Sequence, residues 1–183
     1  MLTQSQSQSQ SVVFLTISNG KLCRRVEQGT EGAIQRITKT GKEVHELFYS
    51  TVIGHITDLS IKENEYGKFL LVTIKDMVTE KKCILEMNFS SGYSTTFLKT
   101  LPNADLSQNI EICPALIVDG DKKKSVCFLK QTGVSIKHYY TKDNPKGMPD
   151  MVKVKVKGKE TWDDTDRIEW LYAKAKNLIN VPF

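Results

Sequence analysis

The residues able to do covalent chemistry are few and scattered. His45, His55 and His138 lie far apart, and the chain contains no GxSxG, no P-loop and no HExxH. Asp163 and Asp164 have no partner at metal-binding spacing. In WDDTDRIEW the acidic residues instead surround the expected start of a final helix, where carboxylates meet unpaired N–H groups and the helix dipole. Contact with a partner protein is the alternative role for Trp162, Asp163, Asp164 and Trp170. Cys23, Cys83, Cys113 and Cys127 form no CxxC and have no histidine pair beside them, so buried reduced thiols are expected, with a disulfide or a reactive thiol as minor readings. No enzyme activity, metal or cofactor is predicted.

Rings and cations remain. Sequence-independent binding of a single nucleic-acid strand needs aromatic faces on which bases stack, each contributing roughly 1–3 kcal/mol, and cations that follow the phosphates. Tyr49, His55, Phe69 and Lys75 fall on one face of two alternating runs, with Tyr66 and Lys68 in the turn between them. Lys82, Lys122, Lys123 and Lys124 add charge in turns and at strand ends. Arg24, Arg25 and Arg36 form a secondary basic track with Lys153, Lys155 and Lys157 of MVKVKVKGKE. The competing reading packs Tyr49 and Phe69 under neighbouring elements, and makes DGDKKK only a soluble hairpin tip.

These side chains must be positioned by a chain of 183 residues with 39% apolar and 26% charged residues, the composition of a globular domain. Its apolar runs, such as Val12 to Leu15, fall far short of the roughly 18 residues a membrane span needs. No basic stretch precedes the first of them, so secretion is not expected. Lys and Arg exceed Asp and Glu by 26 to 21, with the excess before residue 50 and within 141–161.

QSQSQSQS within residues 1–11 has nothing to bury and is predicted to be a flexible polar arm. Two β-rich runs flank Asn19-Gly20 and predict a hairpin extension over 12–18 and 21–26. A half-buried strand follows from Tyr49, with Gly54 marking a bulge. In FLLVTIKD, Leu70, Val72 and Ile74 share the inner face, and Cys83, Leu85 and Met87 do so in the next run. The period then changes: Ser90 or Ser91 caps a short helix carrying Phe97, Leu98 and Leu101. Two strands around DGDKKK complete the order strand, strand, strand, helix, strand, strand. That is the layout of a five-stranded OB-type barrel with an inserted helix; an open α+β sheet is the alternative.

YSTVIGHITDLSIKENEYGKFLLVTIKD, FLKTLPNADLS, YYTKDNPKGMPD and GKETWDDTDRIEWL resemble the single-stranded DNA-binding proteins of tailed bacteriophages, of the OB-fold type, over most of residues 12–172. The resemblance implies a mainly β domain over 12–140 that holds single-stranded DNA in a groove. It implies a role in phage DNA replication or recombination, in the cytoplasm of an infected bacterial host. It also implies partners among replication or recombination proteins, reached through residues 141–183.

That C-terminal region reads as a loop, an added basic strand and a helix. The expected strand is anchored by Val152, Val154 and Val156, with lysines that protect a sheet edge and extend the positive track. The helix TDRIEWLYAKAKNLI carries Ile168, Leu171, Tyr172 and Ala175 at helical spacing, and NVPF ends the chain where a disordered acidic tail is usual in such proteins. The stripe docks on the barrel or serves a partner or a homo-oligomer. From another functional class, a virion or assembly protein using a β-barrel for protein contacts is the alternative.

Overall fold

The computed structural model describes residues 12–38, 40–156 and 158–180. The expected polar arm, Lys157 and the last three residues lie outside the described residues. The protein is mainly β, with one large sheet and two helices.

β1 (Val13–Ser18) and β2 (Lys21–Val26) form the expected hairpin, and Asn19 and Gly20 take φ of 49° and 77° in its turn. β3 (Ile34–Ile37) and β4 (Glu43–Tyr49) follow as a second antiparallel pair. β5 (Val52–Asn64), β6 (Gly67–Lys75) and β7 (Lys82–Asn88) make the predicted meander. Then come α1 (Gly92–Thr100), β8 (Ile110–Asp119), β9 (Lys122–Gln131) and the short β10 (Val134–Ser135). All ten strands join one sheet in the order β10-β9-β8-β5-β6-β7-β1-β2-β4-β3.

The sheet is not closed into a barrel. The edge of β7 is taken by β1, which runs parallel to it through Val13–Cys83, Phe14–Ile84 and Leu15–Leu85. The N-terminal hairpin is therefore built into the sheet and is not an extension to it. β5 serves two neighbours: Val52 to Gly54 pair with β8, and the rest of the strand pairs with β6. Its bulge falls between Ile56 and Asp58, not at Gly54. Gly54 has a different task, because a Cβ there would stand 2.8 Å from Ile74 Cγ2 and from the Lys75 carbonyl.

The alternation read in β6 holds: Leu70, Val72 and Ile74 are buried, while Phe69, Leu71, Thr73 and Lys75 face the other way. α1 covers the apolar side of the β8–β9 arm. The Ser91 hydroxyl accepts from Ser94 N–H, Phe97 and Leu98 are fully buried, and Cys127 N–H donates to Thr96 Oγ1 at 2.8 Å. The second helix, α2 (Thr165–Ile179), puts Ile168, Leu171 and Ala175 into the same core and sets Tyr172 edge-on to Phe89. Lys68–Glu169 and Lys176–Asp58 ion pairs fasten it, so its apolar stripe docks on its own chain.

The tip of the β1–β2 hairpin reaches β8. A Cβ on Gly20 would lie 2.4 Å from the Leu116 backbone nitrogen. Gly20→Ala is expected to cost roughly 1–3 kcal/mol, because strain at positive φ is joined by that clash. Gly120→Ala also carries positive φ, but it has open space around it and serves as the control. Thermal melts of the two variants decide: equal losses would mean that the contact with β8 is unimportant.

The basic run is corrected. β11 (Val152–Val156) pairs only with β12 (Lys159–Asp163), in a separate two-stranded sheet. Val152 and Val156 are each 53% exposed, so the valines do not anchor a strand of the main sheet.

Candidate functional site

The pleat that buries Leu70 and Val72 turns Phe69 outward into an open groove of about 770 Å³. Two more rings share it. Phe14 projects from β1 beside β7 and is 63% exposed; Tyr66 sits at the β5–β6 turn and is 78% exposed. That turn is shaped by Asn64, whose side-chain oxygen accepts from Tyr66 N–H at 2.9 Å. Two exposed rings and the outward face of the half-buried Phe69 around one groove form a ready stacking surface.

Four cations line the same groove: Arg24, Arg25, Arg36 and Lys62. Two carboxylates oppose them. Glu46 is almost fully buried, and Arg36 forks it through Nε at 2.9 Å and a terminal nitrogen at 2.6 Å. That hydrogen bonding from Arg36 holds the Glu46 carboxyl below the usual carboxylate range. Lys62 and Glu86 pair at 2.9 Å across β6, and the Lys62 ammonium lies 6.0 Å from the Phe69 ring centre. Arg24 makes no ion pair among the described residues. Four cations against two carboxylates leave the groove a positive excess, with Arg24 and the loosely paired Arg25, 4.0 Å from Glu46, open to phosphates.

The groove thus gathers Tyr66, Phe69, Arg24, Arg25 and Arg36 from the expected set and adds Phe14 and Lys62. Phe14 escapes sequence reading because it stands in the apolar run VVFL; its outward phase follows from the alternation with Leu15 and Ile17. Lys62 follows in the same way from the phase of Ser60 in DLSIKEN.

Other expected residues go elsewhere. Tyr49 ends β4, and with Lys82 it rims a smaller apolar cleft of about 240 Å³ formed with Leu15, Leu22 and Ile74. His55 stands opposite Lys75 beside the β5 bulge, and Lys75 is ion-paired to Glu80. Lys68 belongs to β6, not to the turn, and faces α2: its ammonium is 2.7 Å from Glu169 and 4.5 Å from the Phe89 ring centre. Lys122, Lys123 and Lys124 are exposed residues of β9, and the turn itself is only Gly120-Asp121. Lys123 and Lys124 line a third cleft, beside α1.

In the separate hairpin, Lys153 lies 5.4 Å from the ring of Trp162 and 3.6 Å from Glu160, while Lys155 pairs in register with Glu160. Trp162 is 58% exposed. Asp163 accepts from the Thr165 hydroxyl at 2.6 Å and its N–H at 2.9 Å, bonds that lower its pKa. Asp164 occupies the helix N-cap position without a side-chain capping bond. Trp170 is half-buried, 5.1 Å from the Tyr140 ring and edge-on to it.

Among the described residues no group of three or more His, Cys, Asp or Glu stands together as a metal site, and no helix is long and apolar enough to cross a membrane. All four cysteines are free. Burial raises the Cys83 and Cys113 thiols to about 11 and the Cys127 thiol further, which keeps them protonated and poorly nucleophilic near neutral pH. No protein-family model, no curated protein and no solved structure was found to match the chain.

Proposed function

We propose that the protein binds single-stranded DNA without strong sequence preference, along the groove that carries Phe14, Tyr66 and Phe69. The observation that carries this reading is the meeting of three outward rings with four cations on one concave face. In this reading β5 to β9 and α1 are an OB-type core whose closing edge has been taken by β1. No side chain performs chemistry: the groove stacks bases, neutralises phosphates and so protects and straightens the strand. The resemblance in the sequence supports a setting in phage DNA replication or recombination, with protein partners or further copies of the chain reached through the C-terminal region.

Fluorescence anisotropy of a labelled oligothymidine, titrated at several salt concentrations, tests the proposal. If each of the four groove cations neutralises one phosphate, the logarithm of affinity falls with the logarithm of salt at a slope of about −3. Duplex DNA of equal length should bind more weakly, because paired bases cannot stack on the rings. Absent or salt-independent binding would overturn the reading. The assembly-protein alternative has its own support in the separate β11–β12 hairpin, where Val152, Val156 and Trp162 are uncovered. Constitutive large oligomers without affinity for oligothymidine would favour it.

A further inference from the structure

The third cleft has a different character. It measures about 590 Å³ and shares no lining residue with the aromatic groove. Lys99 of α1, Lys123 and Lys124 of β9, Lys142 and His138 converge on it, and Asp164 is its one lining carboxylate. Five lysines elsewhere, Lys62, Lys68, Lys75, Lys153 and Lys176, each meet a carboxylate, while other described lysines on the open surface do not. Among the described residues none of the four cleft lysines has such a partner within 4.0 Å. Lys99 is also half-buried, and that burial together with Arg167 and Lys124 lowers its ammonium's pKa. Four lysines are here held together against their mutual repulsion, with Asp164 as the one carboxylate among the lining residues to offset them.

The polar groups are set for an acceptor-rich guest. The Thr100 hydroxyl lies 2.8 Å from the Thr96 carbonyl and 2.8 Å from His138 Nδ1, which ties the imidazole to α1. Burial, with Lys99 and Lys124 beside it, lowers the pKa of the His138 imidazole. Thr95, Ser125 and Thr141 add hydroxyls to the wall. The cleft offers a base little to stack on: of its two rings, Tyr140 is 6% exposed and is held edge-on by Tyr139 at 4.8 Å and Trp170 at 5.1 Å, which leaves only the small His138 imidazole. The cleft is built for phosphate rather than for bases, and four lysines exceed what a single phosphate group needs.

We propose that this cleft binds an oligophosphate anion of two or three linked phosphate groups, either free or as the phosphate chain of a nucleotide. Isothermal titration calorimetry of the full chain with sodium tripolyphosphate, ATP and orthophosphate tests it. Tripolyphosphate should bind with one-to-one stoichiometry, at least about tenfold more tightly than orthophosphate, because linked charges engage several ammonium groups at once. ATP binding as tightly as tripolyphosphate assigns the site to the phosphate chain; ATP binding much more weakly assigns it to free oligophosphate.

The double variant Lys99→Gln/Lys124→Gln should lose at least about tenfold in tripolyphosphate affinity. Lys123→Gln/Lys124→Gln, confined to exposed strand residues, should lose affinity in the same direction with an unchanged melting temperature. Both should bind oligothymidine as the parent does, since the aromatic groove is untouched; failure of oligothymidine binding in the parent itself would concern that groove alone. No saturable binding of tripolyphosphate, or binding that both variants retain, overturns the proposal. Loss of oligothymidine affinity in these variants also overturns it, by assigning the cleft to the backbone of a nucleic-acid strand.

Discussion

Replacing Phe14 and Phe69 together by alanine is expected to weaken oligothymidine binding by at least about thirtyfold, since each lost stack removes roughly 1–3 kcal/mol. The rings come from strands on either side of β7, and neither is fully buried. Phe14 is 63% exposed, so its truncation leaves the core intact; Phe69 is half-buried, and its contribution to folding is separated by a thermal melt of the single variant. Tyr49→Ala is the informative control. Tyr49 shares an alternation with the groove residues in the sequence, yet it rims the apolar cleft formed with Leu22 and Ile74. Its loss should change affinity less than about twofold, in contrast to a lost stack. Anisotropy titrations of the three variants decide: a large effect at Tyr49 and none at Phe14 and Phe69 would move the binding surface to that cleft.

The largest effect on stability is expected at Phe97. Its side chain is fully buried on α1, the helix that contacts β9 and α2 and is tied to β9 by the Thr96–Cys127 hydrogen bond. Phe97→Ala removes a whole ring from a packed interior and leaves a cavity, which costs about 3–5 kcal/mol. Against the roughly 5–15 kcal/mol that holds a domain folded, that is a large share. Urea unfolding followed by circular dichroism measures it. The midpoint should fall at constant slope, and a loss below about 1 kcal/mol would contradict the packing of α1 as described here.

Local pattern and tertiary choice separate cleanly in this chain. Strand alternation in FLLVTIKD and the capped helix after Ser91 are written in consecutive residues, because period and capping are local properties, and both recur in the structure. The partner of β7 is not written there: nothing in VFLTIS says that it runs parallel to a strand far along the chain. The same holds for MVKVKVKGKE, whose alternation is identical in an added strand and in a separate hairpin; only the uncovered valines distinguish the two.

At the site, Phe69 was legible because its neighbours Leu70 and Val72 fix its phase. Lys68 differs from the expectation because the strand begins at Gly67, inside the polar run expected to be a turn; it is in phase with Leu70, and its ammonium meets Glu169 and points away from the groove. The boundary between turn and strand in DGDKKK is not legible because solvent-exposed lysines are compatible with either state; the register with Asp119, Val118 and Ile117 makes Lys122 to Lys124 strand.

The parallel contact of β1 with β7 divides the sheet into two antiparallel halves, β1-β2-β4-β3 and β10-β9-β8-β5-β6-β7, joined at a seam of three residue pairs. The aromatic groove straddles that seam. Phe14, Arg24, Arg25 and Arg36 belong to one half, and Lys62, Tyr66 and Phe69 to the other. A strand of DNA laid along the groove would therefore act as a splint, gripping both halves and opposing their separation. By mass action the halves would part less readily in the loaded protein than in the free one, so ligand and fold would guard each other.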